Sequence, residues 1–222
     1  MAKVKLGSVP LLTLMCLVGT FSSRAQNPST YYEEVPRTFY GGLLAGTSFT
    51  QVDGDAYAGY NKVGLNAGGI VYARLADKLA ASIEITYAEK GARGHYDFRL
   101  SGTSDTTVTD YRIKLRYAEI PIQLNFFDRR RSHFGAGFSY SQLITGEEII
   151  ETNHGPVDAG AYPFRKSDVN ILLTGNLHLV KGLFLNARFQ YSLFAVRKNH
   201  YPGIGRSEQF NNVWVVRMMY LF

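Results

Sequence analysis

The stretch Leu79-Ala80-Ala81-Ser82-Ile83-Glu84-Ile85-Thr86-Tyr87-Ala88-Glu89-Lys90 carries two chemistries in alternation. Leu79, Ala81, Ile83, Ile85 and Tyr87 share one parity; Ser82, Glu84, Thr86 and Lys90 share the other. A helix would scatter these residues around its circumference, whereas a strand sorts them onto two faces. The segment is therefore a strand with one greasy and one polar side.

Working outward, seven more stretches show the same period: about 38–50, 62–75, 111–127, 133–145, 169–179, 183–195 and 212–222. In the first, Phe39, Leu43, Ala45 and Phe49 line up; in the last, Trp214, Val216, Met218, Tyr220 and the terminal Phe222 do. The stretch at 111–127 changes phase. Ile113, Leu115 and Tyr117 lie on one parity, and Ile120, Ile122, Leu124 and Phe126 on the other. A bulge at Ala118-Glu119, ahead of Pro121, is the expected repair.

The connections alternate long and short. Segments 51–61, 92–110, 146–168 and 196–211 are long and polar, while 76–78, 128–132 and 180–182 are tight. Such segregation predicts an all-β, eight-stranded antiparallel up-and-down barrel that crosses a membrane. A soluble ligand-binding barrel would hide its apolar face inside instead. Three features favour the membrane reading. The strands are near the ~10 residues of a tilted crossing. Phe39, Phe49, Tyr87, Phe127, Tyr140, Tyr191, Phe194, Trp214, Tyr220 and Phe222 gather near strand ends, as interfacial rings do. The polar face is mostly Gly, Ser, Thr and Asn, suited to a narrow lumen. With an even strand count, both termini face the periplasm and the long loops face outside.

The start of the chain reads as a secretory signal over residues 1–25: basic Lys3 and Lys5, an apolar run from Leu11 to Phe21, and a small-x-small site at Ser23-Arg24-Ala25. Residues 26–37 form a polar periplasmic lead, and 38–222 the barrel domain. Cys16 falls in the signal behind a bulky Met15, a poor context for lipidation, so the mature chain carries no thiol. Removing the signal leaves 21 basic against 18 acidic residues, a balance that gives no reason to expect nucleic acid as a partner. The expected partners are outer-membrane lipids and, beyond them, envelope or secretion-complex proteins.

Three segments carry a family resemblance. They are Gln51-Val52-Asp53-Gly54-Asp55 running on to Gly59-Tyr60-Asn61-Lys62-Val63-Gly64-Leu65, then Glu84-Ile85-Thr86-Tyr87 with Glu89-Lys90-Gly91, and Tyr117-Ala118-Glu119-Ile120-Pro121. Their order and spacing resemble PorT-like outer-membrane β-barrel proteins over nearly the whole mature chain. The resemblance implies an eight-stranded barrel in the outer membrane of a Bacteroidota-type bacterium. It also implies, for the founding members, a link to type IX protein secretion and gliding.

The polar parity also nominates a site. Glu84, Arg188 and Arg217 fall at similar depth on their strands, with Glu119, Arg116 and Lys90 extending the set. Eight strands enclose room only for side chains or one small ligand, so charges there must pair. A plug of salt bridges is expected ahead of a gated ion path. A lipid-modifying enzyme would need a histidine with a partner near the outer rim. His95, His154 and His200 are the loop candidates, while His178 lies toward the periplasmic end, and no spacing links any of them to a nucleophile. The reading is non-enzymatic, with no cofactor and no metal. Asp53-Gly54-Asp55 and the group Glu147, Glu148, Glu151 do not match a calcium loop, and turn chemistry and a solvated surface account for them.

Overall fold

The structure, a computed structural model, describes residues 37–57, 59–94, 97–100, 105–128, 131–199 and 203–222. The proposed signal and lead, up to residue 36, lie outside the described residues, as do His95 and His200.

Ten strands follow in order: β1 (Phe39–Asp55), β2 (Lys62–Ala76), β3 (Leu79–Arg93), β4 (Phe98–Arg99), β5 (Thr107–Phe127), β6 (His133–Thr152), β7 (Gly155–Val157), β8 (Ser167–Val180), β9 (Leu183–Ser192) and β10 (Gly205–Leu221). Every pairing is antiparallel. Eight long strands close a ring, β1-β2-β3-β5-β6-β8-β9-β10, sealed by β1 against β10 from Gly42↔Leu221 onward. The two-residue β4 and three-residue β7 flank β5 and β6 at the loop end. Closure removes the edges that an open sheet would expose.

The short connections are as tight as the composition implies. Asp77-Lys78 joins β2 to β3, 128–132 joins β5 to β6, and Lys181-Gly182 joins β8 to β9. Arg131 and Lys181 adopt left-handed backbone (φ 65° and 50°), which the sharp reversal of a hairpin imposes.

The greasy parity faces outward. Phe39, Leu43, Ile83, Ile85, Ile122, Leu124, Phe134, Phe138, Leu173, Leu177, Trp214 and Tyr220 are all exposed on the outside of the ring. The polar parity is buried within. This is the inverse of a soluble barrel, and it is what lipid on the outside requires.

Strand lengths and one bulge depart from the sequence expectation. β5 begins at Thr107 rather than 111 and β6 continues to Thr152 rather than 145, so much of the expected loop 146–168 is strand. β10 likewise starts at Gly205 rather than 212, and β9 stops at Ser192 rather than 195. There is no bulge at Ala118-Glu119. Burial alternates without interruption from Tyr111 to Phe126, with every odd residue inward. The irregularity sits on the neighbour, where Arg116 pairs with Thr145 and Tyr117 with Leu143, leaving Ile144 of β6 as the extra residue.

The phase change in β5 has a different cause: the environment inverts along the strand. At Ile120, Ile122, Leu124 and Phe126 the outside is apolar; at Val108, Tyr111, Ile113, Leu115 and Tyr117 the inside is. The strand leaves the membrane between them. Beyond that level the barrel is built like a soluble protein, with Val52, Tyr57, Leu100, Ile150, Ala159 and Ile204 completing an internal apolar core. A second, smaller apolar layer closes the turn end, formed by Leu44, Ile70, Tyr72, Ala80, Phe184 and Met219.

Candidate functional site

Between the two apolar layers the lumen is ionic, in two tiers. The lower tier centres on Glu84 of β3. Its Oε1 is held by the Nη2 of Arg188 from β9, and its Oε2 lies 3.1 Å from Nη1 of Arg217 on β10. Gln123 Nε2 donates to the same carboxylate at 3.0 Å. Arg217 also donates to Asn66 Oδ1 and Asn186 Oδ1, both at 2.9 Å, and Arg188 Nε donates to Thr174 Oγ1 at 3.3 Å. Side chains from β5, β9 and β10 thus meet on the β3 carboxylate across the bore, and β2 and β8 join through the two arginines.

The upper tier centres on Glu119 of β5. Lys90 Nζ lies 2.6 Å from its Oε1 and 3.7 Å from Asp168 Oδ2. Ser141 Oγ and Gln190 Nε2 donate to Glu119 at 2.8 and 3.2 Å, and Lys90 donates to Asn170 Oδ1 at 3.2 Å. Ser192 Oγ and Asn211 Nδ2 each donate to Asp168 Oδ2 at 3.0 Å. The Lys90 ammonium also sits 5.1 Å from the ring centroid of Tyr117, which begins the apolar core above.

Among the described residues these tiers hold three acids and three bases, Glu84, Glu119 and Asp168 against Lys90, Arg188 and Arg217, each at most 2% exposed. Charge therefore cancels inside the bore. Cancellation is needed because an unpaired ion out of water costs several kcal/mol.

Five of the six residues nominated from sequence are brought together here. Arg116 is not. It stands on the outward parity of β5, with its side chain 47% exposed and 3.7 Å from Glu89, because the strand has no bulge to turn it inward. Asp168 falls at the end of the segment that reads as a loop, but it shares parity with Asn170, Thr174 and Asn176 on the polar face of β8. The polar neighbours Gln123, Asn186 and Gln190 were legible as inward residues but not as ligands of particular charges.

A third ionic cluster, above the two tiers, locks the loop end. Arg197, 2% exposed, grips Glu148 with two bonds of 2.6 and 2.7 Å, donates to Gln209 at 2.9 Å, and stacks 4.3 Å from the Phe164 ring. Tyr111 donates to the same carboxylate at 3.3 Å. Glu148 thus belongs to the interior rather than to a solvated patch, because β6 extends through it and turns it inward; Glu147 and Glu151 remain exposed.

Asp55 lies in this head, beyond the last outward apolar residue of β1. Its Oδ1 accepts the Tyr57 N–H at 2.8 Å, and its Oδ2 has no hydrogen-bond partner among the described residues. Burial raises its pKa from 3.8 to about 7, against the lowering hydrogen bond from Tyr57 and with smaller raising effects from Asp53 and Glu148. A raised folded-state value means that the folded head holds a proton the unfolded chain has released. Stability is thus lost as pH climbs from about 4 to about 7. Asp55→Asn should make the head more resistant to protease at pH 8 and leave it unchanged at pH 4. Equal cleavage rates of the two proteins at pH 8 would refute this assignment.

The neighbouring Asp53 turns elsewhere, accepting from Gln51 at 2.7 Å and Asn212 at 3.1 Å, so the two carboxylates do not share a ligand. No group of three or more His, Cys, Asp or Glu is placed to hold a metal among the described residues. His154 lies 3.8 Å from Asp105 on the exposed surface. His178 Nε2 donates to the Lys181 carbonyl at 2.7 Å in the turn. His133 is built into the turn-end mouth: Nδ1 donates to Arg131 O at 3.1 Å, leaving Nε2 to accept the Tyr72 hydroxyl at 3.0 Å.

A family model described as outer membrane protein beta-barrel domain matches residues 24–197. No curated protein matches the chain. Among solved structures, it is similar to the attachment invasion locus protein Ail of Yersinia pestis, with 12% identity and a TM-score of 0.43, covering 84% of this chain and 100% of that one. Neisserial surface protein A gives 8% identity and a TM-score of 0.44, over 84% of this chain and 98% of that one. The outer membrane protein AlkL gives 11% and 0.42, over 84% and 90%.

Proposed function

Because the chain belongs to the family of outer membrane protein β-barrel domains, we propose that it is a non-enzymatic, non-conducting barrel whose task is carried by its loop end. That end is a folded head held outside the cell as a recognition or assembly surface for other envelope components. The short turns and both termini then face the periplasm.

The observation that carries this reading is the inversion along β5. Apolar residues turn from lipid-facing to core-forming at Tyr117, so the loop end has its own packed interior. An ordered head on a rigid wall is a platform for binding. The lumen beneath it is filled by paired charges and sealed by apolar layers on both sides, an arrangement that opposes passage of ions.

The PorT-like motifs support the shared construction more than a shared partner. Of their charged residues, Glu84, Lys90 and Glu119 lie inside the bore, Asp55 is buried in the head, and Lys62 and Glu89 lie where β2 parts from β3. A role as an accessory of type IX secretion in a Bacteroidota-type bacterium would instead show in the head.

The test is conductance together with capture. Purified wild type inserted in a planar bilayer should give no steps above background, and cross-linking in native envelopes through the head should trap a defined envelope protein. Steady ohmic channels would overturn the closed-barrel reading. Capture of secretion-machine subunits would select the PorT-like role over a general one, and turnover of a lipid substrate would overturn the non-enzymatic one.

A further inference from the structure

Where the apolar belt ends on β3 and β5, the outward side chains become charged, and on β5 they are cationic. On β5 the outward positions pass from Ile122 and Ile120 through Ala118 to Arg116, Lys114 and Arg112. On β3 they pass from Ile83, Ile85 and Tyr87 to Glu89 and Arg93.

Beside this point the wall has a seam. β2 stops pairing with β3 at Asn66↔Ala88, while residues 62–65 continue on β1 alone. Side chains stitch the gap. Ser48 Oγ and Thr50 Oγ1 donate to the carbonyls of Glu89 and Gly91, both at 2.7 Å, and Leu65 N–H donates to Glu89 Oε2 at 3.1 Å. Gly64 permits the approach, since a Cβ there would stand 2.7 Å from the Glu89 Cβ. Lys62 Nζ donates to the Lys90 carbonyl across the seam and stands 3.0 Å from where a Cβ on Gly91 would be, and Gly91 is the β3 partner of Lys114.

The acid among these three cations is Glu89. It is already engaged by Leu65 N–H, by the Tyr87 hydroxyl at 3.0 Å and by Arg116 at 3.7 Å. Glu147 borders the group as the β6 partner of Lys114, and Asp110 is taken by Arg112 at 2.8 Å. Positive charge is left in excess at the edge of the membrane.

We propose that Lys62, Lys114 and Arg116 form a binding site for the phosphomonoester headgroup of a membrane lipid. The position selects a lipid over free phosphate. Ile85, Ile120 and Ile122 lie directly below and are 71%, 42% and 58% exposed, a ready surface for acyl chains. A guanidinium and two ammonium groups on neighbouring strands suit a dianionic phosphate oxygen set, and such contacts strengthen at an interface where water is partly displaced.

The experiment is native mass spectrometry of the full chain in neutral detergent, with phosphatidic acid, phosphatidylcholine and inorganic phosphate as probes. Phosphatidic acid should be retained at least about tenfold more tightly than phosphatidylcholine, given roughly one kcal/mol per cation near a membrane surface. The double variant Lys114→Gln/Arg116→Gln should lose that preference. Glu89→Gln should increase it, and Arg112→Gln, a cation already paired, should leave it unchanged. These outward positions lie off the core, so each variant should keep the heat-sensitive gel migration of a folded barrel. Equal retention of the two lipids, or wild-type preference in the double variant, would overturn the site. Displacement of the lipid by equimolar inorganic phosphate would overturn the assignment to a lipid.

Discussion

Glu84→Ala is expected to lower the unfolding temperature of the detergent-purified barrel further than removal of either arginine that holds it. The carboxylate is shared by Arg188 and Arg217, so its loss strands two guanidinium groups in a bore that is closed above and below. Breaking a buried pair by deleting one member costs about 3–5 kcal/mol, because the remaining charge has neither water nor partner. Arg188→Ala or Arg217→Ala removes one ligand and leaves the other, so each should lie between Glu84→Ala and the wild type. Glu119 is untouched by either change, since its cation is Lys90. The measurement is the temperature at which the compact gel band converts to the extended one. If Glu84→Ala converts at the wild-type temperature, the central clamp does not hold the barrel.

Ile113→Asp should have an effect of similar size confined to the loop end. Ile113 is wholly buried among Val52, Tyr111, Leu115 and Ile150, in the part of β5 that has left the membrane. A carboxylate there would stand opposite Glu148, which already occupies Arg197, and must either stay protonated or open the head. The membrane-embedded part should still assemble, so the heat-sensitive band should persist while protease cuts the head readily. Lys114→Asp, one residue along and outward, should leave cleavage unchanged. Equal protease resistance of Ile113→Asp and wild type would mean that the head has no packed core.

How far the sequence could be read differs between these two sites. The eight strands, their order and their tight turns were legible because period-two alternation and turn residues act within a few positions of one another. The inward parity of Glu84, Lys90, Glu119, Arg188 and Arg217 followed from the same pattern. The phase change in 111–127 was visible too, but an assumed constant environment turned it into a bulge. Under that assumption Arg116 reads as inward, while Glu148 reads as solvated because residues 146–168 read as a loop. Nothing local distinguishes a strand that slips by one residue from a strand that crosses from lipid into water. Burial along β5, with Leu115 inside and Ile120 outside on an unbroken alternation, separates the two.

What the chain determined by itself is which side of each strand is greasy, because side chains on a strand alternate whatever lies next to it. Which charge meets which was decided only on closure. Glu84 reaches Arg188 and Arg217 over 104 and 133 residues of chain, and Lys90 reaches Asn170 over 80. The heights of these groups in the bore depend on the stagger accumulated over every strand pair around the ring. That sum is a property of the whole barrel, so no single segment carries it.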